Sequence, residues 1–356
     1  MIDRAGILAW LRETDPSRLS RLYRRADAVR RERVGDEVHL RGLVEISNHC
    51  VRRCAYCGIA AANDALPRYR MTKDEILACA ETAQRLGYGS VVLQSGEDYG
   101  LTRGWVADVV RSISSSTGLA VTLSLGERPD EDLAAWREAG ADRYLLRFET
   151  SDPALYDAIH PSTPERRSDR FAILGRLAAL GYEVGSGVLV GIPGQTFESL
   201  ASDLLLFRDM DLDMIGVGPY IPHPSTPLGK GLFPFAPEGE QVPADEETTT
   251  KVVALARLVR PDANIPSTTA LATLDPSWGR ERGLLRGANV VMPNLTPPAY
   301  RALYEIYPGK ACTSETAEEC GSCLPNRIRM IGRVPGTGRG SRRHSGMPAV
   351  LQELLA

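Results

Sequence analysis

The chain has 356 residues, 43% of them hydrophobic and 24% charged, the balance of an ordinary soluble enzyme with ample material for a large buried core. A formal net charge of −3 excludes a global basic field for nucleic acid. A charge-free apolar run long enough to span a bilayer is absent, as is a signal-peptide pattern, so a cytoplasmic protein is expected whose seven cysteines serve as metal ligands, nucleophiles or core fillers rather than disulfides.

Residues 1–40 read as a helical segment, with "RLYRRADAVRRER" as a solvated basic face. A first strand follows at 43–47, "LVEIS". Three residues past its end begins "CVRRCAYC", which spaces Cys50, Cys54 and Cys57 as Cys-x3-Cys-x2-Cys. "TKDEILACAETAQRLG" then has the grammar of a helix: a Thr N-cap, a Glu three residues on, and Gly87 at the stop. Further strands are read at 90–94, 120–124, 143–147, 187–192, 214–218, 264–268 and 289–293, with amphipathic helices between most of them. Apolar strands alternating with helices predict a parallel sheet covered by helices, and eight of them predict a closed (β/α)8 barrel of the TIM type over 41–308. The Pro- and Gly-rich stretch 227–245 reads as a long loop capping the barrel mouth. Residues 309–356 form an extension with a second cysteine group and a basic tail, "RGSRRHSG".

The first cysteine group falls on the C-terminal rim of the barrel, where this fold keeps its chemistry. Closely spaced thiols on one loop can wrap one face of a metal centre, and thiolates suit zinc, copper and iron–sulfur clusters. Three protein thiolates on a 4Fe-4S cube leave one iron to a non-protein ligand; a zinc site completed by His49 is the alternative. Arg52 and Arg53 between the thiols argue against buried, inert cysteines and are expected to favour thiolates. Ser95-Gly96-Glu97 follows the second strand, and an acid there suits an ammonium group. Alternation in "RYLLRFET" puts Arg143, Leu145 and Arg147 on one face, where lumenal arginines need either an anion or a salt bridge. Arg147, nearer the rim, is the candidate substrate contact. With Ser95, Thr122, Thr268 and Thr269 it makes a small polar pocket that tolerates anions, and Tyr307 is placed facing the same cavity. Cys79 lies on an apolar helical stripe and reads as core. Cys312, Cys320 and Cys323 form Cys-x7-Cys-x2-Cys, read as a second iron–sulfur cluster (2Fe-2S or 4Fe-4S), with a surface zinc site or unligated thiols as alternatives.

Cys-x3-Cys-x2-Cys after the first strand, with Tyr56 just before the last cysteine, resembles the radical S-adenosylmethionine (SAM) enzymes. Further stretches, among them "VVLQSGEDYG", "EAGADRYLLRFET", "GIPGQT", "NIPSTTA" and "GANVVMPNLTPPAYR", resemble the HydE family of FeFe-hydrogenase maturases from about residue 40 to 333. The resemblance implies that Cys50, Cys54 and Cys57 hold a 4Fe-4S cluster whose open iron is chelated by SAM. It also implies that Tyr56 lies by the adenine, Glu97 holds the amino group, Glu149 meets the methionyl or ribose part, and Arg170, flanked by Arg166 and Arg167, takes the carboxylate. The implied reaction sends a 5′-deoxyadenosyl radical against the sulfur of a cysteine-bound iron carbonyl cyanide precursor of the diiron subcluster. Implied partners are an electron donor such as a flavodoxin or ferredoxin, and other hydrogenase maturation proteins. Phe148 departs from the family pattern, which has histidine there. A methylornithine synthase-like enzyme of the biotin synthase group is the enzymatic alternative, and an iron–sulfur scaffold the non-enzymatic one.

Overall fold

Strand β1 (Glu37–Ser47) pairs in parallel with β2 (Ser90–Ser95), and β3 (Ala120–Ser124), β4 (Arg143–Leu145), β5 (Glu183–Val190) and β6 (Met214–Pro219) continue the sheet in chain order. On the other side β1 pairs with β7 (Val290–Val291), and below it with the short β8 (Val334–Gly336). This computed structural model describes residues 2–162, 168–311 and 316–342.

The ring closes between β6 and β7, but not through a regular strand. Residues 264–267 make single bridges, Met214 with Asn264 and Pro266 with Val290. The Ile215 amide donates to Asn264 O at 3.0 Å and the Ser267 amide to Val290 O at 2.9 Å. The sequence pattern predicts a strand over 264–268; Pro266 has no N–H to give a ladder, which reduces it to these bridges. The first strand starts six residues before the apolar pattern does, because its polar beginning pairs with β8 (Glu37 with Val334).

Helices pack outside the ring: α1 (Arg4–Leu11), α2 (Pro16–Val34), α3 (Lys73–Arg85), α4 (Arg103–Thr117), α5 (Asp130–Glu138), α6 (Pro153–Ile159), α7 (Arg170–Ala179), α8 (Phe197–Asp209), α9 (Glu246–Val259), α10 (Thr269–Leu274), α11 (Gly279–Leu285), α12 (Pro298–Arg301) and α13 (Ala317–Met330). Local signals set their ends. Thr72 and Glu75 form the reciprocal capping box at the start of α3, and Gly87 takes a left-handed φ of 74° just past its end. None of the helices among the described residues is long and apolar enough to cross a membrane.

Alternation along the strands sorts side chains into an apolar outer layer against the helices and a mixed lumen. Arg41, Leu43 and Glu45 of β1, Val92 and Gln94 of β2, Thr122 and Ser124 of β3, and Met214, Gly216 and Gly218 of β6 face inward. The chain after β8 runs beneath the barrel and seals its floor. Arg41 and Asn264 both donate to Gly340 O, at 3.1 and 3.0 Å. Arg342 is buried among Asp211, Asp213 and Asp262 at 2.8–3.1 Å. Arg143 is tied into the same layer through Glu183 at 2.8 Å and Arg339 O at 2.8 Å.

Candidate active site

Above this floor the lumen forms a cavity of about 330 Å³ that reaches the C-terminal ends of the strands. The loop carrying Cys50, Cys54 and Cys57 lies over it. This loop has no regular structure and is held by its neighbours. The Val51 amide donates to Glu97 O at 3.0 Å, Ala55 to Ile159 O at 2.8 Å, and Gly58 to Ile306 O at 3.0 Å. Leu228, in the Pro/Gly-rich stretch, donates to Ala55 O at 3.0 Å. Arg68 gathers carbonyls on both sides of the thiols, from Asn48 at 2.6 Å, Ile59 at 2.7 Å and Ala60 at 2.8 Å. Gly96 allows the loop after β2 to approach: a Cβ there would stand 2.3 Å from His49 O and 2.7 Å from Cys50 Cβ.

All three thiols line the cavity, and so do Tyr56, Ser95, Glu97, Thr122, Arg147, Glu149, Arg170, Thr268, Thr269 and Tyr307. His49 does not. Among the described residues no three His, Cys, Asp or Glu side chains converge on a single ion. Three thiols on one short loop around a cavity suit a 4Fe-4S cube, where each thiolate takes its own iron. Burial raises the Cys50 thiol, pushes that of Cys57 up to about 12, and carries that of Cys54 well above its ordinary value, with the neighbouring cysteines adding to it for Cys54 and Cys57. The protein alone therefore keeps these thiols protonated, and iron has to displace the protons.

Arg52 corrects the expectation that both intervening arginines serve the thiolates. Arg53 is exposed, but Arg52 is only 2% exposed and turns away into a carboxylate network. Its Nε pairs with Glu97 Oε1 at 2.9 Å, and its Nη2 lies 2.8 Å from Glu127 Oε2. Glu127 also accepts from Arg170 Nε at 3.1 Å and from Ser168 Oγ at 2.5 Å, and its amide donates to Glu97 Oε2 at 2.9 Å. Glu97 takes a further bond from the Tyr99 hydroxyl at 3.0 Å. Three of its roughly four lone-pair directions are then used, which leaves one for a ligand ammonium. Arg170 stays charged. Burial opposes this, but the Glu127 carboxylate 3.1 Å from its Nε favours the charge.

Deeper in the lumen Arg147 donates to Val188 O at 2.6 Å and stands 2.9 Å from Glu149 Oε2. Gly216 and Gly218 of β6 lie alongside it, where a Cβ would stand 4.0 and 3.8 Å from the Arg147 side chain, ordinary contact distance. Among the described residues the hydroxyls of Thr122 and Thr268 are buried with no hydrogen-bond partner, as is Glu149 Oε2. Such orphaned polar atoms around a cavity suit a polar ligand. Glu149 itself has φ 64°, a left-handed conformation costing a non-glycine residue roughly 1–3 kcal/mol. It is held there by its bridge to Val188. Tyr56 Oη reaches Glu149 Oε1 at 3.5 Å.

Phe148, the departure from the family pattern, points away from the lumen and packs on Phe171 and Phe207, with ring centroids 5.2 and 6.0 Å apart. Arg143, read together with Arg147, sits below the cavity in its salt bridge with Glu183. Arg166, Arg167 and Cys312 lie outside the described residues, as does the side chain of Cys320, whose backbone belongs to α13; Cys323 is exposed. Glu127, Arg68 and the buried Glu45–Lys310 pair on the cavity wall were not singled out from sequence. Only Glu127 had a usable signal, as an acid just past a predicted strand end.

The loop after Glu149 depends on Asp203 of α8, which accepts from the Ser151 amide at 2.6 Å. Burial pushes the Asp203 carboxyl up to about 7, with the Ser151 bonds working against it. The folded pKa exceeds the unfolded one, so the stabilisation is complete below pH ~4 and is lost as pH rises toward 7. Between pH 5 and 7 the unfolding free energy of the metal-free protein is expected to fall by up to about 1.4 kcal/mol per pH unit from this group. Asp203→Asn should flatten that slope in urea titrations at each pH; an unchanged slope would assign it elsewhere.

Residues 44–207 match the family model described as the radical SAM superfamily. The [FeFe] hydrogenase maturase subunit HydE of Thermotoga maritima is 47% identical over 90% of this chain and 88% of the relative. A 3-methylornithine synthase of Methanosarcina acetivorans is 28% identical over 77% of this chain and 74% of its own. Among solved structures, methylornithine synthase (PylB) superposes with a TM-score of 0.79 at 26% identity, covering 94% of each chain. The maturase HydG superposes with 0.77 at 19% identity over 94% of this chain and 73% of its own, a likeness of fold alone. The thiol loop, the barrel beneath it and the extent of these matches together establish that this chain is a radical SAM enzyme and belongs to the family of the HydE hydrogenase maturases.

Proposed function

We propose that this enzyme matures FeFe-hydrogenase by acting on a cysteine-bound iron carbonyl cyanide precursor of the diiron subcluster, held beneath SAM in the barrel. The observation that carries this reading is the lumen: a guanidinium, Arg147, with the hydroxyls of Thr122 and Thr268, which lack a partner among the described residues, on a mixed wall below the thiols. A carboxylate and metal-bound cyanides are anionic or strongly hydrogen-bond accepting, which fits those donors.

Cys50, Cys54 and Cys57 would hold the 4Fe-4S cluster. Glu97 would take the amino group of SAM, Arg170 its carboxylate, Glu149 its ribose or methionyl part, and Tyr56 would lie along the adenine. Cluster and SAM, when bound, would supply one-electron reductive cleavage of the SAM sulfonium, with the electron delivered by a flavodoxin or ferredoxin, for chemistry at the precursor's sulfur. The chain's own contribution is to fix both ligands in one closed lumen and keep bulk water from the radical. Ser95, Thr269 and Tyr307 complete the substrate wall.

The test has two stages. Anaerobically reconstituted protein with dithionite and SAM should yield 5′-deoxyadenosine, which an iron–sulfur scaffold would not. A maturation mixture lacking this component should regain hydrogen evolution on its addition; equal output with and without it sinks the maturase reading. Arg147→Met should keep SAM cleavage and lose maturation. The PylB likeness favours one other reading, and formation of methylornithine from lysine would establish it. Cys312, Cys320 and Cys323 would hold an accessory cluster, so Cys320→Ala should leave SAM cleavage intact. A Cys320→Ala protein that keeps the first cluster but cannot cleave SAM would overturn that division.

A further inference from the structure

His160, at the end of α6, belongs to none of the roles assigned above. Its side chain is wholly buried, with no solvent exposure. Its Nε2 is in close contact with Arg170 Nη2. A guanidinium has only donors, so the ring nitrogen facing it must carry a lone pair and the ring proton sits on Nδ1. The ring stacks on Tyr156 at 5.1 Å, Tyr156 Oη is 2.6 Å from Ser168 Oγ, and Ser168 Oγ donates to Glu127 Oε1 at 2.5 Å. Glu127 accepts from Arg170 in turn, at 3.1 Å, and Arg170 also donates to Arg147 O. Arg170 thus sits in a closed circuit of partners. One residue back, Ile159 O receives the Ala55 amide between Cys54 and Cys57 at 2.8 Å. The element that orients Arg170 is therefore also bonded to the thiol loop.

We propose that His160 is a positioning residue for SAM: as a neutral acceptor it aims the Arg170 guanidinium and sets it in register with the thiol loop. The inference rests on the reading that Arg170 meets the SAM carboxylate. Burial, helped by the charges of Arg170 and Arg52, pushes the imidazole down to about 2, so it does not compete with Arg170 as a second cation. Glu127 supplies charge to Arg170, whereas His160 supplies direction. A buried guanidinium deprived of one acceptor either swings toward another or leaves a donor unsatisfied, and both disturb the ligand site.

His160→Phe keeps the stack on Tyr156 and removes the lone pair; His160→Gln keeps an acceptor at nearly the same reach. The cluster-loaded protein is titrated anaerobically with SAM by equilibrium dialysis, and iron content is checked beside it. His160→Phe is expected to raise the SAM Kd about tenfold, equal to about 1.4 kcal/mol, with iron unchanged. KM for SAM should rise by a similar factor and the cleavage rate at saturating SAM should hold. His160→Gln is expected to recover most of the affinity. If His160→Phe binds SAM like the wild type while Arg170→Lys binds it weakly, the positioning role is wrong. If His160→Gln is as weak as His160→Phe, the acceptor argument is wrong. If Arg170→Lys itself binds normally, the reading of Arg170 has failed first. Should His160→Phe not fold, the glutamine variant decides alone, wild-type affinity supporting the proposal and tenfold weaker binding overturning it.

Discussion

Cys54→Ala is expected to leave a folded protein that holds no intact 4Fe-4S cluster and yields 5′-deoxyadenosine only at background. Cys54 is the middle and most buried of the three thiols, on a loop whose path is set by backbone bonds on either side. Those bonds involve Val51, Ala55 and Gly58, none of which the substitution touches. Stability of the metal-free protein should therefore change by only about 1 kcal/mol, the cost of trimming one small buried side chain. Cluster binding should collapse, because two thiolates leave two irons without a protein ligand. Cys79→Ala is the matched control. That thiol packs on α3 and donates to Leu295 O at 3.3 Å, away from the cavity. It should keep full iron content and full SAM cleavage. Iron analysis, the absorbance of the reconstituted protein and product assay separate the two. A Cys54→Ala protein that still cleaves SAM would refute the three-thiolate site.

Glu127→Ala is expected to destabilise the metal-free protein by roughly 3–5 kcal/mol and to abolish SAM binding. The carboxylate is fully buried between two buried guanidiniums, those of Arg52 and Arg170. Removing one member of a buried ion network strands the others without compensation, and that costs more than the network as a whole contributes. Arg52 would keep Glu97, but Arg170 would lose the one carboxylate paired with it among the described residues. Glu127→Gln should fall between wild type and Glu127→Ala, since it keeps an acceptor and loses the charge. Urea unfolding of the metal-free variants reads the stability, and SAM titration of the loaded ones reads the site. Wild-type stability in Glu127→Ala would mean that the two arginines find other counter-charges.

Much of the barrel was legible because its signals are periodic. Apolar strands between amphipathic helices specify the alternation, and period two places Arg147 and Thr122 on lumen faces once the strands are assigned. The strand read at 264–268 survives only as bridges because a proline cannot donate. The start of β1 was read late because its partner, β8, lies almost three hundred residues away and leaves no mark on the local pattern.

Phe148 illustrates a related limit. It departs from a family motif in a segment that leads into the site, yet it faces the core and packs on two other phenylalanines. Alternation already sets Phe148 opposite Arg147; the fold adds that this face packs on Phe171 and Phe207.

The sequence by itself determined the chemistry of the mouth. Three thiols within eight residues act locally, since a loop that short must present them together wherever it is placed. Only the tertiary structure sets which charged and polar groups meet around them. Arg52, Glu97, Glu127, His160 and Arg170 come from five separate segments, and the barrel's floor is sealed by a strap from the far end of the chain. In sequence nothing pairs Arg52, Glu97 and Arg170 with one another or with Glu127. Burial turns them into obligatory partners, because a charge taken out of water has to meet its complement, and which complement it meets depends on the closure of the barrel rather than on its neighbours in the chain.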